Sequence, residues 1–398
     1  MLSQKSFGIY IHIPYCIQRC LYCDFATYEQ SQIFPPEEYT QLLLEEMRQK
    51  SKYFTAQDVD TIYFGGGTPS LISPHLIGKI LDGLASFGFS PKKTAEITIE
   101  INPATINPEK MAAYKELGIN RYSVGAQTFN DSLLKKLGRE HNAHQTRETL
   151  ALLKSQTSNF NFDILFALPN QSLADLRSDL TEAISQGAQH ISPYCLTIPK
   201  EHVLSAGRAP DEEQLEMFSA IRETLVAQGF HRYEISNYSL PGHESRHNLL
   251  YWTDQEYWSL GLSAHSYSKS SSWGTRFWNV NSIMDYKKQV LESKNLVFKS
   301  IPESLPPQQF EVLKIHQSLT DFLHTSLRLA QGLSQERWLQ KFPESLWNKV
   351  LPRLEKLEKR QVLKRTDGAW CLTETGLVIS NLVFEEMTFL SRDVETYF

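Results

Sequence analysis

Two hydrophobic periodicities alternate along residues 7–198 of the chain. Short stretches place an apolar side chain at every second position, and longer stretches between them place one at every third or fourth position. The first spacing is typical of strands with one buried face, and the second is typical of amphipathic helices. Strands are predicted over residues 7–13, 59–64, 96–102, 121–125, 159–166 and 190–198. Helices are predicted between them over residues 36–53, 74–86, a segment beginning at Asn107 and Pro108, 130–137, 143–155 and 172–186.

Six strands that alternate with helices predict an α/β fold in which helices cover a parallel sheet. The strands carry polar side chains on their second face. On the third strand Thr98, Glu100 and Asn102 alternate with isoleucines, and Asn161 and Asp163 hold the equivalent positions on the fifth strand. A barrel interior that is only a core is filled with branched apolar side chains, so a polar interior indicates a lumen that holds a polar ligand. An open sheet with one solvated face is the alternative.

The pattern changes after residue 275. Residues 276–305 are expected to form an irregular connector. Helices are then predicted over 309–315, 320–329, 334–341 and 344–359, followed by a hairpin within 361–372 and a helix over 375–390. Helices followed by a hairpin predict a small α+β, winged-helix-like domain over residues 306–398, beside a larger domain over residues 1–275. A lid or a partner surface is its expected role.

Three of the five cysteines lie within eight residues, directly after the first predicted strand. Cys16, Cys20 and Cys23 have the spacing C-x3-C-x2-C, and Pro14 ends the strand before them. Thiolates this close can surround one metal centre, and soft sulfur ligands suit iron and sulfide. A [4Fe–4S] cluster on three cysteines keeps one iron open for chemistry, and this interpretation is favoured.

Zinc and a disulfide are the alternatives for these cysteines. Structural zinc needs a fourth ligand, and the nearby candidates His12 and Asp24 do not have a usual zinc spacing. A disulfide is disfavoured because the cysteine count is odd and no signal peptide is recognised. A second motif, Gly-Gly-Gly-Thr-Pro-Ser over residues 65–70, follows the second strand and lets backbone approach a ligand closely, unless it is a plain tight turn.

Charge and hydropathy argue against several classes of function. The chain has 40 basic and 45 acidic residues and no dense basic run, so nucleic-acid binding is not expected. No apolar stretch approaches the roughly 20 residues that span a bilayer, so no transmembrane segment is expected. Residues 1–6 are too short and polar for a targeting segment. A cytoplasmic protein is expected, in a reducing compartment where an oxygen-sensitive cluster survives.

The cysteine motif after a first strand resembles the signature of the radical S-adenosylmethionine (SAM) superfamily. Further segments resemble the oxygen-independent coproporphyrinogen III oxidase (HemN) family and its relatives: residues 10–16, 65–70, 100–103, 125–129, 137–139 and 163–169. The resemblance implies a partial (β/α)6 barrel, with a [4Fe–4S] cluster on Cys16, Cys20 and Cys23 and SAM on the open iron. It implies SAM contacts for Tyr10, Tyr22, Gly66, Gly67, Thr68, Glu100 and His265. It also matches Gln127, Arg139 and Asp163 to a second SAM site of the oxidase.

Three features separate the chain from the oxidase and bring it closer to the HemW-type haem chaperone family. Residue 25 is Phe where the oxidase has a fourth cysteine, and only 15 residues precede Cys16. Residues 246–252, Arg-His-Asn-Leu-Leu-Tyr-Trp, resemble the H-N-x-x-Y-W signature of that family. The resemblance implies haem as cargo, a protein that accepts it, and an electron donor such as flavodoxin.

His247 within this signature is the candidate haem ligand. A neutral imidazole is a common donor to haem iron, and Tyr251 and Trp252 are placed to stack on the macrocycle. A histidine that only forms hydrogen bonds in a turn is the alternative. Two functions stay open beside the haem chaperone: radical decarboxylation of porphyrinogen propionates, and radical SAM chemistry on an unrelated substrate. The sequence therefore does not decide whether the protein is an enzyme.

Overall fold

One large sheet organises most of the chain in the computed structural model, which describes residues 5–157 and 159–394. The first part alternates strands and helices: β1 (Phe7–Ile13), β2 (Tyr15–Cys16), β3 (Tyr28–Glu29), α1 (Pro36–Lys50), β4 (Val59–Gly66), α2 (Pro74–Ser86), β5 (Pro91–Ile101), α3 (Pro108–Glu116), β6 (Arg121–Gln127), α4 (Asp131–Leu137), α5 (Ala143–Gln156), β7 (Phe160–Phe166), α6 (Leu173–Ser185) and β8 (His190–Cys195). All six predicted strands are present, and β2 pairs with β3 in a small separate sheet.

The six predicted strands lie side by side in chain order and run parallel: β1, β4, β5, β6, β7 and β8. The predicted α/β fold is therefore confirmed. The register forms polar rows, because Glu100 lies opposite Ser123 on β6, and Ser123 lies opposite Asn161 on β7. The isoleucines and phenylalanines that alternate with these residues are buried in one apolar core. The polar rows therefore face away from that core and line a lumen.

A seventh parallel strand and two antiparallel edges extend the sheet. The elements of this part are α7 (Asp211–Ala227), β9 (His231–Glu234), β10 (Asn237–Ser239), α8 (Arg246–Trp252), β11 (Glu256–Leu260), β12 (His265–Ser268), β13 (Thr275–Trp278), α9 (Ile283–Glu292), α10 (Ile301–Ser304) and β14 (Phe310–Val312). Strand β11 pairs parallel with β1, and β12, β13 and β14 follow it in antiparallel order. Strands β10 and β9 extend the sheet antiparallel from β8.

The expectation of an irregular connector over residues 276–305 is wrong for most of that range. Strand β13 belongs to the main sheet, and α9 buries Ile283, Tyr286 and Val290 in the same core as the parallel strands. The segment at residues 309–315, predicted as a helix, instead contains β14. Strand β14 pairs with β13 at the edge of the sheet, so long-range pairing overrides the local helical pattern there.

The C-terminal part has its own apolar core, which begins at Ile315, whereas the first core ends at Leu305. Its elements are α11 (Ile315–Arg328), β15 (Leu333–Ser334), α12 (Gln335–Leu339), α13 (Glu344–Lys359), β16 (Leu363–Thr366), β17 (Ala369–Leu372), α14 (Glu374–Val378), α15 (Ser380–Glu386) and α16 (Ser391–Val394). The three strands form an antiparallel sheet in the order β15-β17-β16. Helices combined with a hairpin match the predicted winged-helix-like arrangement.

Charged side chains join the C-terminal part to the main sheet. Arg328 of α11 pairs with Glu234 of β9 at 2.6 Å, and Arg337 of α12 donates to the Trp252 carbonyl at 2.8 Å. The Lys341 ammonium pairs with Asp254 at 2.7 Å. Trp252 ends α8, so the predicted haem-binding signature lies under the C-terminal part. No helix in the described ranges is long and apolar enough to cross a bilayer.

Candidate functional site

A cavity of about 510 Å³ lies inside the lumen formed by the parallel strands. Eleven of the fourteen residues predicted from the sequence line it: Cys16, Cys20, Tyr22, Cys23, Gly66, Gly67, Thr68, Glu100, Gln127, Arg139 and Asp163. The strand-end loops bring these distant positions together, because the carboxyl ends of parallel strands meet at one edge of a sheet. The lumen is therefore the candidate functional site.

The cysteine loop is held over the cavity by backbone contacts on both of its sides. The amide of Tyr28 donates to the Pro14 carbonyl at 2.8 Å, and the amide of Leu21 donates to the Leu137 carbonyl at 3.0 Å. The side chain of His12 contacts the Ala26 carbonyl through Nε2 at 2.9 Å. These contacts fix the ends and the middle of the loop, so its three thiols face one space.

The surroundings of the thiols suit metal-bound thiolates. Arg139 Nη1 donates to Cys20 Sγ at 3.4 Å, and Thr68 Oγ1 donates to Cys16 Sγ at 3.9 Å. Such donors stabilise thiolate charge. No group of three or more His, Cys, Asp or Glu side chains in the described ranges is arranged to hold a single metal ion.

The glycine turn packs directly against the cysteine loop. Gly66 has φ +115°, and a Cβ there would lie 2.6 Å from Cε1 of His12. A Cβ on Gly67 would lie 2.6 Å from the Tyr15 carbonyl oxygen and 3.0 Å from Cys16 Sγ. Only glycine fits these two positions without a shift. The turn therefore brings bare backbone beside the cysteines, as a closely approached ligand requires.

Glu100 occupies the centre of the cavity wall. Its Oε1 accepts from the Tyr63 hydroxyl at 2.8 Å, and its Oε2 accepts from the Gly66 amide at 3.0 Å. Burial raises the pKa of this carboxyl to about 7, against the two hydrogen bonds that favour its charged form. Glu100 can therefore accept or donate a proton near neutral pH.

Three further predicted residues line the same cavity. Asp163 accepts from the Asn161 amide at 2.7 Å and from the Ser123 hydroxyl at 3.3 Å, and burial raises the pKa of its carboxyl. Arg139 donates through Nη2 to the Gly125 carbonyl. Gln127 has φ +71°, a backbone conformation uncommon outside glycine. Together they place one cation, one carboxylate and one amide around the cavity.

The remaining three predicted residues do not line the cavity. The Tyr10 hydroxyl contacts His12 Nδ1 at 3.1 Å, and its ring stacks on Tyr63. His265 lies on β12 in the antiparallel extension, where its ring stacks on the Trp278 ring with the two ring centroids 5.6 Å apart. For His265 a role in SAM binding therefore stays a prediction without a place in this cavity.

His247 is buried inside the fold. It is 1% exposed, its Nδ1 contacts Thr61 Oγ1 at 2.7 Å, and its Nε2 contacts the Tyr251 hydroxyl at 2.9 Å. Burial lowers the pKa of the imidazole to about 3, so the ring is neutral. Both ring nitrogens are engaged, and iron coordination would require one contact to break. Haem ligation by His247 stays a prediction, and the geometry agrees with the hydrogen-bonding alternative.

The sequence interpretation missed several polar side chains of the lumen. The cavity is also lined by Tyr63, Arg121, Ser123, His190 and Ser192. Each lies on a parallel strand at a position that faces the lumen. The alternation along each strand indicates which side chains share a face. Only the register between the strands shows which of those side chains meet in the cavity.

Comparisons with known proteins cover almost the whole chain. The model of the radical SAM superfamily matches residues 10–183, and the model of the HemN C-terminal domain matches residues 316–379. The heme chaperone HemW of Bacillus subtilis is 33% identical over 384 residues, which cover 94% of this chain and 97% of that protein. HemW of Lactococcus lactis is 30% identical over 402 residues, which cover 99% of this chain and 100% of that protein.

A solved structure shows the same fold. The coproporphyrinogen III oxidase HemN of Escherichia coli, described as a radical SAM enzyme, superposes with a TM-score of 0.80 at 18% identity. The match covers 96% of this chain and 90% of that chain.

Proposed function

Since this chain belongs to the HemW family of the radical SAM superfamily, we propose that it is a haem chaperone that binds haem and passes it to an acceptor protein. The observation that carries the proposal is the extent of the similarity, which runs from the cysteine loop through the C-terminal part. The lumen supports it, because residues far apart in sequence line one cavity.

Within this proposal, Cys16, Cys20 and Cys23 hold a [4Fe–4S] cluster. The glycine turn and Glu100, which line the same cavity as the cysteines, would hold the polar end of SAM beside it. The chemistry that such a cluster supplies when bound is one-electron reduction of SAM. The residues of the chain supply position and charge: Arg139 donates to Cys20, and Glu100 fixes the Gly66 amide. A flavodoxin-like electron donor is a further part of the proposal.

Haem coordination needs a ligand that the described conformation does not offer freely. His247 is the candidate from the family signature, but Tyr251 and Thr61 engage its ring nitrogens. We therefore propose that haem coordination by His247 requires release of the Tyr251 hydroxyl from Nε2. Trp252 follows Tyr251, and its carbonyl accepts from Arg337, so the C-terminal part would control this release.

An anaerobic haem titration of the reconstituted protein, followed by absorbance, tests the proposal. We expect a saturable Soret shift in the wild type and in His144→Ala, a control whose side chain is 76% exposed. If His247 is the ligand, His247→Ala loses the shift, and Tyr251→Phe binds more tightly because Nε2 is free. Equal binding by all variants would place the ligand elsewhere, and no binding by the wild type would reject the chaperone function.

A coproporphyrinogen turnover assay separates the chaperone from the alternative enzyme. In the presence of SAM and a strong reductant, we expect no decarboxylation beside an oxidase that is active under the same conditions. Turnover at a rate comparable to that oxidase would assign the lumen to porphyrinogen chemistry instead.

A further inference from the structure

The floor of the lumen carries a buried charge that neither the cysteine loop nor the glycine turn uses. Arg121 begins β6 and is 2% exposed. It lies opposite Thr98 of β5 in the register, one layer below the row that contains Glu100 and Ser123. Arg121 and Thr98 both line the cavity that the three cysteines line. Both residues therefore border the same enclosed space from below.

These polar atoms lack hydrogen-bond partners among the described residues. Nε and Nη1 of Arg121 and Oγ1 of Thr98 are each buried without a hydrogen-bond partner. The carboxylate of Glu96 lies 3.8 Å from Arg121 Nε, which is beyond hydrogen-bonding distance. A buried guanidinium is normally both paired and hydrogen-bonded, because removing it from water is costly.

Glu96 is already engaged with the start of α8. Its two oxygens accept the backbone amides of Arg246 and His247, at 3.1 Å and 3.0 Å. These amides belong to the first turn of the helix, where N–H groups have no partner within the helix. The carboxylate of Glu96 therefore accepts two backbone amides at the start of α8. It balances the charge of Arg121 but forms no hydrogen bond with it.

The other polar side chains near the floor have partners. The Asn161 amide donates to Ser123 at 2.8 Å and to Asp163 at 2.7 Å. His190 contacts Asn161 through Nδ1 at 2.6 Å and the Tyr233 hydroxyl through Nε2 at 2.8 Å. The unused hydrogen-bonding capacity of the floor is therefore concentrated on Arg121 and Thr98.

We propose that the floor of the lumen is a binding subsite for a carboxylate group, held by the guanidinium of Arg121 and the hydroxyl of Thr98. A carboxylate matches the planar guanidinium fork. Its single negative charge meets less repulsion from Glu96 and Asp163 than a dianion such as phosphate would. The carboxylate has two possible sources: a free small carboxylic acid, or a propionate of a porphyrin in the lumen. The propionate source rests on the proposed haem function.

Thermal unfolding in acetate, compared with chloride at equal ionic strength, tests the subsite on the anaerobically reconstituted protein. We expect acetate to raise the Tm of the wild type saturably, by about 2–4 °C. Arg121→Gln should lose this rise, whereas Arg177→Gln, which removes a half-exposed surface guanidinium, should keep it. Thr98→Val keeps the charge and should weaken acetate binding by at least about tenfold, because one hydrogen bond to a charged group is lost.

No acetate-dependent rise in the wild type, or an undiminished rise in either Arg121→Gln or Thr98→Val, would overturn the subsite. If Arg121→Gln does not fold, the acetate-dependent rise in Tm of Thr98→Val alone decides whether the subsite exists.

Haem titrations with and without acetate distinguish the two sources. Competition by acetate, together with weaker binding of haem dimethyl ester, assigns the subsite to a propionate. Acetate binding that leaves haem affinity unchanged assigns it to a free acid. The acetate measurement needs no haem, so a failure of the haem function and a failure of the subsite give different results.

Discussion

At the residue scale, the three loop cysteines are the side chains whose loss has the sharpest expected effect. Each of Cys16→Ala, Cys20→Ala and Cys23→Ala removes one of the three thiols that line the lumen. A cluster with only two cysteine ligands is not held, so we expect each variant to lose the iron–sulfur absorption band after anaerobic reconstitution.

The two remaining cysteines provide matched controls for this prediction. Cys195 is exposed at the end of β8, and Cys371 is buried in the C-terminal part. Neither lines the lumen, so Cys195→Ala and Cys371→Ala should keep the full band. A full band in any single loop variant would contradict the ligand assignment.

Gly66 tests how tightly the glycine turn and the strand beneath it fit together. In Gly66→Ala, a side chain at φ +115° would also meet the His12 ring at 2.6 Å. We expect a loss of stability of about 2–4 kcal/mol, which combines backbone strain with the steric contact. Gly242→Ala is the control, because Gly242 has φ +85° and no described residue other than its two chain neighbours has an atom within 4 Å of the added Cβ. Urea unfolding should show the larger loss for Gly66→Ala, and equal losses would mean that the His12 contact is unimportant.

Glu100 should make stability depend on pH. Its pKa is raised by burial from 4.5 to about 7, so between these values the folded state binds more protons than the unfolded state. By linkage, Glu100 makes a contribution to the free energy of unfolding that is complete below pH 4.5 and is lost as the pH rises through 7. Each unit of pKa difference corresponds to about 1.4 kcal/mol, so the loss of stability is at most about 3.5 kcal/mol.

Glu100→Gln isolates this contribution because an amide does not ionise. We expect the wild type to lose stability relative to Glu100→Gln as pH rises from 5 to 8, with urea unfolding of the SAM-free protein as the measurement. A stability difference that is constant across this range would show that Glu100 has an ordinary pKa in the folded protein.

The cysteine spacing and the glycine run after a strand are visible in the sequence itself. Glu100 is marked by the alternation of its strand together with the family resemblance. Residues from each of these features line the cavity, and their roles there stay predictions. Arg121 was not found, because its position opposite Thr98 depends on the register between β5 and β6. His247 carries a recognisable motif, but its burial depends on packing against Thr61, which lies 186 positions away in the sequence.

At the element scale, local capping signals define helix starts that are worth measurable stability. Asn142 begins α5 with a capping box: its side chain accepts from the Gln145 amide at 3.0 Å, and the Gln145 side chain accepts from the Asn142 amide at 3.0 Å. Asn142→Ala should lower stability by about 1 kcal/mol. Ser155→Ala, in the last turn of the same helix, should change it by less than about 0.5 kcal/mol in the same urea titration. Equal effects would mean that the cap contributes nothing beyond helix propensity.

Elements with a strong local pattern were predicted, including the six parallel strands, whereas short strands without such a pattern were not. Helix α2 and helix α13 begin and end at the residues expected from their patterns, and Ser334 caps α12 by accepting from the Arg337 amide at 3.2 Å. Strands β13 and β14 were missed. They are short, and they exist because each offers hydrogen bonds to the other at the sheet edge. Their stability is tertiary, so no local periodicity reveals them.

At the scale of the whole molecule, the C-terminal part is attached through a buried charge pair. Glu234 is fully buried on β9, and its carboxylate lies 2.6 Å from Arg328 Nε of α11. The Arg328 guanidinium also lies over the Trp252 ring, 4.4 Å from its centroid. One side chain thus joins the C-terminal part to both the edge of the sheet and the end of the H-N-x-x-Y-W helix.

Breaking this pair should uncouple the two parts more than an equivalent surface change does. Arg328→Met leaves the Glu234 carboxylate buried without its cation, and we expect a loss of about 3–5 kcal/mol in urea unfolding. Arg360→Met breaks an exposed pair with Glu386 in the C-terminal part and should cost about 0–1 kcal/mol. Adding Glu234→Gln to Arg328→Met removes the unpaired carboxylate charge. The double variant should therefore recover part of the lost free energy of unfolding. If Arg328→Met and Arg360→Met cost the same, the buried pair does not hold the C-terminal part in place.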